Sequence, residues 1–201
     1  EVALSRERSN EALRETLVSN LEEMQRLSAM VNDMLFLAQA DRGAVARRGE
    51  PVSLATLARQ VVEFHEAALE EAGLALRIDG DATVAVDEAL FKRALSNLLG
   101  NAARFGERGS TVVVRISAEL AATPEQVQVV VQNQGQSIAN EHLPRLFDRF
   151  FRADDSRCCP EEQHHGLGLA IVAAIARMHA GRTVAESGDG LTRVGFTLAA
   201  R

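Results

Sequence analysis

Asn97, Asn101 and Arg104 are the residues of this chain whose types and spacing most directly invite chemistry. They lie in the stretch 95–106, LSNLLGNAARFG, at i, i+4 and i+7, and so share one stripe of a helix. Leu95, Leu98, Leu99 and Ala102 fill the opposite stripe and call for a core beneath it. Asn is a poor residue inside a helix, and two of them one turn apart need a reason. An amide carbonyl is a hard, neutral oxygen suited to Mg²⁺, and a guanidinium three residues on could hold a phosphate oxygen. Taken alone, the stripe reads equally well as a solvated polar face.

Three further stretches could complete a site. Gln132 to Ile138 (QNQGQSI) ends an apolar strand, where Asn133 could accept from an exocyclic amine and Gly135 would let a flat ring approach the backbone. An Asn-x-Gly at a strand end is also an ordinary turn. His164 to Ala170 (HHGLGLA) sets Gly-x-Gly at a helix start, where unpaired N–H groups and the helix dipole favour phosphate; tight packing is the plainer use of such glycines. Leu146 to Arg152 (LFDRFFR) puts three of the eight Phe into a long loop, either to pin it or to line a ligand. Between the last two lies CCPEEQHH, in which Cys158, Cys159, His164 and His165 form a dense set of soft-metal ligands fitting Cu(I) or Zn²⁺. Against that stands the usual variability of an exposed loop tip, and the awkwardness of adjacent cysteines around one ion.

These pieces need elements to hold them. Ser9 or Asn10 caps a long helix whose apolar stripe runs Leu13, Leu17, Leu21, Met24, Leu27, Val31, Met34, Leu35, Ala38. Residues 1–7 read as the last turns of a preceding helix, so 1–41 is expected to be part of a helical hairpin. The long stripe asks for a partner, and dimerisation supplies one. Gly43, Gly49 and Pro51 mark 42–52 as a linker, and 53–201 as a globular unit. Within it Ser53 should cap a helix to about Glu71 with Val61, Phe64 and Ala68 inward, His65 serving in packing or at the surface, and Gly73 ending it. Short strands are expected near 74–78 and 83–86, then the helix on which the Asn stripe lies, capped by Asp87. Paired strands follow at 111–116 and 126–131, a long loop at 134–165, a helix at 166–179, and two strands at 182–187 and 193–198 joined by Gly188-Asp189-Gly190. The expected fold is an α/β two-layer sandwich behind a helical hairpin fragment.

Composition narrows the partners. A hydrophobic content of 46% excludes general disorder. With 22 basic against 28 acidic residues, a net charge of −6 and no basic tract, nucleic acid is not an expected partner. The longest apolar run, near 167–176, is about half a membrane span. Two adjacent cysteines make no disulfide framework and suit a reducing compartment.

In this order and spacing the motifs resemble the ATP-binding catalytic domain of two-component sensor histidine kinases, whose nucleotide fold is the Bergerat type. NLLGNAARFG resembles the N box, VQNQGQSI the first Gly box, LFDRFFRAD the F box, GLGLAIV the second Gly box, and Gly190 to Leu198 the last strand. Upstream, MVNDMLFLAQAD is similar to the second helix of the dimerisation and phosphoacceptor hairpin, in wording nearest the heavy-metal (copper/silver) sensors. The resemblance implies Mg·ATP as cofactor. Asn101 would coordinate Mg²⁺, with Asn97 and Arg104 beside the triphosphate as the catalytic pair and Phe105 near the nucleotide. Asn133 would meet the adenine amine, Gly135 and Ile138 would shape the base pocket, and Gly166, Leu167, Gly168 and Leu169 would close over the phosphates. Arg152 is an implied phosphate contact at the start of the ATP lid, and Thr192 marks the last strand. It further implies a homodimer through the N-terminal helices, a response regulator as partner, and the cytoplasmic portion of a bacterial inner-membrane protein, without membrane contact by this stretch.

Departures temper the likeness. The family usually has Asp where Asn133 stands, and His164 and His165 occupy places where further glycines are usual. A phosphoacceptor on the first hairpin helix would precede this chain, whose first histidine is His65, so self-phosphorylation is not expected. Two other functions fit less well. ATPase and chaperone-type relatives of this fold use a Glu to activate water at the position of Asn97, and Asn cannot serve as that base. A dimerisation module with a degenerate nucleotide site would explain Asn133 and the altered second Gly box.

Overall fold

The computed structural model describes residues 9–119, 125–152 and 165–200. Helix α1 (Asn10–Asp41) opens on Ser9, whose side chain accepts from the Ala12 N–H, as its sequence predicts. Its buried residue is Leu37, near the C-terminal end. Leu17, Leu21 and Met24 are more than half exposed, so among the described residues the apolar stripe is left open over most of its length. The preceding helix expected from residues 1–7 lies outside the described residues.

The segment read as a linker ends in structure: Pro51–Ser53 forms β1, paired antiparallel with β3 (Thr83–Ala85). Ser53 also caps α2 (Leu54–Glu71) by accepting from Thr56 N–H. The Asp81 carboxylate accepts from the Ala55 and Ala82 N–H groups and from the Ser53 hydroxyl. Those bonds, Ala55 foremost, hold its pKa below the usual carboxylate range. The small β1–β3 sheet and the start of α2 are thereby tied together.

Helix α2 corrects one expectation. Phe64 is 82% exposed and Ala68 is exposed too, while Leu54, Leu57, Ala58, Val61 and Leu69 are buried. At about 100° per residue, Phe64 falls roughly a quarter turn from the centre of that buried set, and His65 falls close to it. His65 accordingly sits half-buried, its Nε2 2.7 Å from the Ser96 Oγ, and burial pushes its pKa down from 6.5.

The main sheet is five-stranded and mixed, in the order β2-β4-β5-β7-β6. Its strands are β2 (Ala75–Asp79), β4 (Thr111–Glu119), β5 (Gln126–Gln134), β6 (Thr183–Gly188) and β7 (Leu191–Ala199). β2 and β4 are parallel; the other neighbours are antiparallel. Asp189 and Gly190, both at positive φ, form the two-residue turn between β6 and β7, the conformation that a hairpin of matching twist requires. Residues 120–124, including the Thr123-Pro124 connection, lie outside the described set.

α2, α3 (Glu88–Phe105) and α4 (Gly168–Met178) bury their apolar faces against one side of this sheet, giving the two-layer α/β sandwich. Val112, Val114, Ile116, Val127, Val129, Val131, Phe196 and Leu198 are the sheet's contribution to the core. Phe91 of α3 meets Phe196 edge-on at 6.2 Å between ring centroids, both fully buried, a pairing worth about 0.5–1.5 kcal/mol beyond burial alone.

His179, just past α4, is 1% exposed and joins two elements. Its Nδ1 donates to the Ile175 carbonyl (2.9 Å) and its Nε2 accepts from the Asp87 N–H (3.1 Å). That pattern needs a neutral ring, and burial pushes its pKa below 6.5. Asp87 in turn caps α3 through its side chain, accepting from Leu90 N–H, so the end of α4 positions the start of α3.

Candidate functional site

α3 and α4 form two walls. The buried face of α3 holds Leu95, Leu98, Leu99 and Ala102, and Asn97, Asn101 and Arg104 are left half-buried along its rim, as the helical spacing requires. Asn97 Nδ2 donates to the Arg93 carbonyl one turn earlier (3.0 Å), which leaves its Oδ1 facing α4. A Cβ on Gly168, the first residue of α4, would stand 3.0 Å from that oxygen; Gly168 therefore lets the two helices close on the Asn stripe. The Arg104 guanidinium lies 5.0 Å from the ring centroid of Phe105, itself 51% exposed.

Among the described residues no side chain caps the N-terminus of α4, and the first backbone bond back into the turn is Ile171 N–H to Leu167 O (2.9 Å). Leu167 is 2% exposed and anchors this end from beneath. The leading N–H groups of α4 are thus oriented for an anion, in a place where the helix dipole favours one. Gly166, at φ +67, is pressed against the F-box stretch: a Cβ there would lie 2.9 Å from the Phe150 Cα. Phe150 N–H donates to the Gly166 carbonyl (3.0 Å), so 146–152 and the start of α4 are one backbone unit.

The third wall is the end of β5. Asn133 is 8% exposed, its Nδ2 donating to the adjacent Gln134 carbonyl (3.2 Å), and it pairs in register with Thr192 of β7. Gly135 passes so close to α3 that a Cβ would sit 2.3 Å from the Phe105 carbonyl oxygen. The corner is fastened by Glu107 N–H to Gln134 O (2.8 Å) and Gly135 N–H to Gly190 O (2.9 Å). Ile138 N–H donates to Ser187 Oγ (2.9 Å), which also pairs with Thr192 Oγ1 (2.8 Å), and Gly190 N–H donates to Ser137 Oγ (3.1 Å). Ser187 carries no sequence signal of its own; only the sheet register shows that it supports the Gly135–Ile138 turn.

This frame offers the kinds of groups that a nucleotide and a divalent metal would call for. The close passage at Gly135, the uncapped α4 terminus and the amide oxygens along α3 are, in turn, suited to a flat base, to phosphate and to Mg²⁺. Arg152 is exposed at the end of the described F-box stretch. Of the soft-metal set, Cys158, Cys159 and His164 lie outside the described residues, and His165 is half-buried beside Gly166. Among the described residues no three His, Cys, Asp or Glu side chains converge as a metal site.

Comparison with known proteins sharpens this. CusS of Escherichia coli (strain K12), a sensor histidine kinase, is 46% identical over all of this chain, which covers 41% of CusS. The sensor protein CzcS of Cupriavidus metallidurans is 39% identical over 98% of the chain and 40% of its own length. The chain thus spans about two fifths of the curated relatives it matches. The full-length structure of ShkA in complex with AMPPNP superposes at a TM-score of 0.78, with 26% identity over 96% of this chain and 40% of ShkA. The histidine kinase AdeS of Acinetobacter baumannii, at 21% identity and a TM-score of 0.74, shares the fold. The family profile described as histidine kinase-, DNA gyrase B-, and HSP90-like ATPase matches residues 86–201. That match begins at the residue before the cap of α3 and takes in every wall of the site, and the chain belongs to this ATPase family.

Proposed function

We propose that the chain is the ATP-binding catalytic core, with part of the dimerisation hairpin, of a two-component sensor histidine kinase from the heavy-metal (copper/silver) sensing branch. The observation that carries this reading is the Asn97–Asn101–Arg104 stripe standing across Gly168 from an uncapped helix terminus, behind a long helix with an exposed apolar stripe. Bound Mg·ATP would supply the γ-phosphoryl group and the charge-neutralising metal.

The chain's own residues do the positioning. Asn101 offers the metal its amide oxygen; Asn97 and Arg104 flank the triphosphate. Asn133 accepts from the adenine amine once its own amide group turns from Gln134, and does so without the charge assistance an Asp would give. Gly135 and Ile138 bound the base, with Phe105 beside it and Thr192 bracing the turn through Ser187. Gly166, Leu167, Gly168 and Leu169 present backbone N–H groups to the phosphates, and Arg152 adds a guanidinium. The phosphoryl acceptor is a His on the first hairpin helix, and a response regulator takes the group onward. α1 pairs with a second copy, and the whole sensor sits in a bacterial inner membrane with this part on the cytoplasmic side. The Asn97 amide, committed to the Arg93 carbonyl, has no basic atom with which to activate water, which speaks against a plain ATPase.

Two measurements test this together: calorimetry with Mg·ATP, and transfer of labelled phosphate to an added hairpin bearing the phosphoacceptor His. The expected product is an acid-labile phosphate on the hairpin. Absence of nucleotide binding would sink the proposal, and binding with ATP hydrolysis but no transfer would favour the ATPase.

A further inference from the structure

Helix α1 reaches the catalytic unit through buried Leu37, with Met30, Phe36 and Ala40 packed partly buried against the same core, and through two polar clasps. Asp33 pairs with Arg93 of α3 at 2.6 Å, and the Arg93 guanidinium also lies 4.2 Å from the Phe36 ring centroid. Asp41, the last residue of α1, pairs with Arg149 at 2.5 Å and with Arg177 of α4 at 3.9 Å. Between the end of α1 and the catalytic unit the surfaces do not close: a cleft of about 680 Å³ remains, lined by Leu37, Ala40, Val45, Phe147, Ala170 and Met178 among others. Apolar packing is therefore incomplete at this end, where Asp41, Arg149 and Arg177 also line the cleft, and the charged clasps add to it in fixing the orientation of the helix.

Each clasp leads to a different wall of the site. The Arg93 carbonyl holds the Asn97 amide, so the Asp33 clasp bears on the α3 wall. Arg149 precedes Phe150, which sits at φ +62 with its N–H on the Gly166 carbonyl, so the Asp41 clasp bears on the backbone that leads into α4. Arg177 ties the same carboxylate to α4 itself. We propose that Asp33 and Asp41 are positioning residues: the docked α1 sets the spacing of the two nucleotide-site walls, and docking and nucleotide binding strengthen each other. This rests on the nucleotide reading above. Linkage makes the effect reciprocal, so nucleotide must hold α1 down by the same factor by which α1 tightens nucleotide.

The test uses the whole chain and a double-mutant cycle. Asp41→Asn and Arg149→Gln should each weaken Mg·ATP binding about two- to five-fold, the range expected when a half-exposed ion pair is lost. The double variant should be no weaker than Asp41→Asn alone, since that change already removes the carboxylate that both Arg149 and Arg177 contact. Independently of affinity, Mg·ATP should slow tryptic cleavage after Arg42 and Arg47 in the wild type, and slow it less in Asp41→Asn. A wild type that binds no ATP defeats the nucleotide reading and this inference together. Where the wild type binds, unchanged affinities, additive losses or cleavage rates indifferent to nucleotide overturn the coupling alone.

Discussion

Gly135→Ala isolates the close approach between the first Gly box and α3. The added Cβ would lie 2.3 Å from the Phe105 carbonyl, against 3.4–4 Å for an ordinary contact. The obstacle is backbone, so no side chain can swing away; the end of α3 and the Asn133–Ile138 turn must part by about 1 Å. A shift of that size in a positioned site is commonly worth one to two powers of ten. Mg·ATP affinity should fall ten- to hundredfold, about 1.4–2.8 kcal/mol. The overall stability loss should be about 1–3 kcal/mol, as for other overpacked substitutions. Gly100→Ala is the matched control: it lies on the same helix, and its Cβ would meet nothing within 4 Å. It should stabilise α3 by about 0.5–1 kcal/mol. Calorimetric titration gives the affinities, thermal melting the stabilities, and circular dichroism confirms the fold. A folded Gly135→Ala protein that binds Mg·ATP as the wild type does would refute the role given to this contact.

Three further outcomes follow from the same structure. Asn101→Ala should weaken ATP binding in Mg²⁺ and much less in EDTA; equal losses in both would remove the metal from that residue. His65 and His179 both have pKa values pushed below the 6.5 of an exposed ring, so the unfolded chain takes up protons that the folded one refuses. Their contribution to stability is complete above pH 6.5 and shrinks as pH falls from there toward the folded pKa values. Urea midpoints should drop from pH 7.5 to 5.5, and an NMR titration placing His179 at or above 6.5 would contradict the buried neutral ring. Leu21→Glu, at a position 57% exposed on α1, should weaken any dimer seen by light scattering and leave the melting temperature of the catalytic unit nearly unchanged.

What the sequence makes legible here is whatever repeats locally. The 3.6-residue period of LSNLLGNAARFG separates the buried Leu95, Leu98, Leu99 and Ala102 from the Asn stripe without any tertiary knowledge, and the caps Ser9, Ser53 and Asp87 all accept the N–H groups their types promise. The glycines of both Gly boxes are visible, but not what makes them glycines: the Phe105 carbonyl and the Phe150 Cα come from distant parts of the chain. Phe64, 82% exposed, shows the limit of helical periodicity, since a residue a quarter turn off the buried arc can be either in or out. His65 could be read as a packing or a surface residue, and only the approach of Ser96 shows which partner its half-buried ring takes. The clasps of α1 span 60 and 108 residues in sequence, and nothing in either charge foretells its partner.

The order of the main sheet also governs how this protein meets copies of itself. Its most β-prone runs, TVVVRI and QVQVVV, are the kind that stack into aggregates when a flank is open. Both lie in interior strands, β4 and β5, with hydrogen-bonded neighbours on either side. The two open flanks fall to β2, five residues long with Arg77 and Asp79, and to β6, six residues long with Glu186. Short charged strands are poor templates for a foreign one. Strand addition is thus discouraged at both ends of the sheet, and the apolar surface left for assembly is helical: two chains that associate should do so side by side along α1, as a register of Leu and Met that a single added charge can undo.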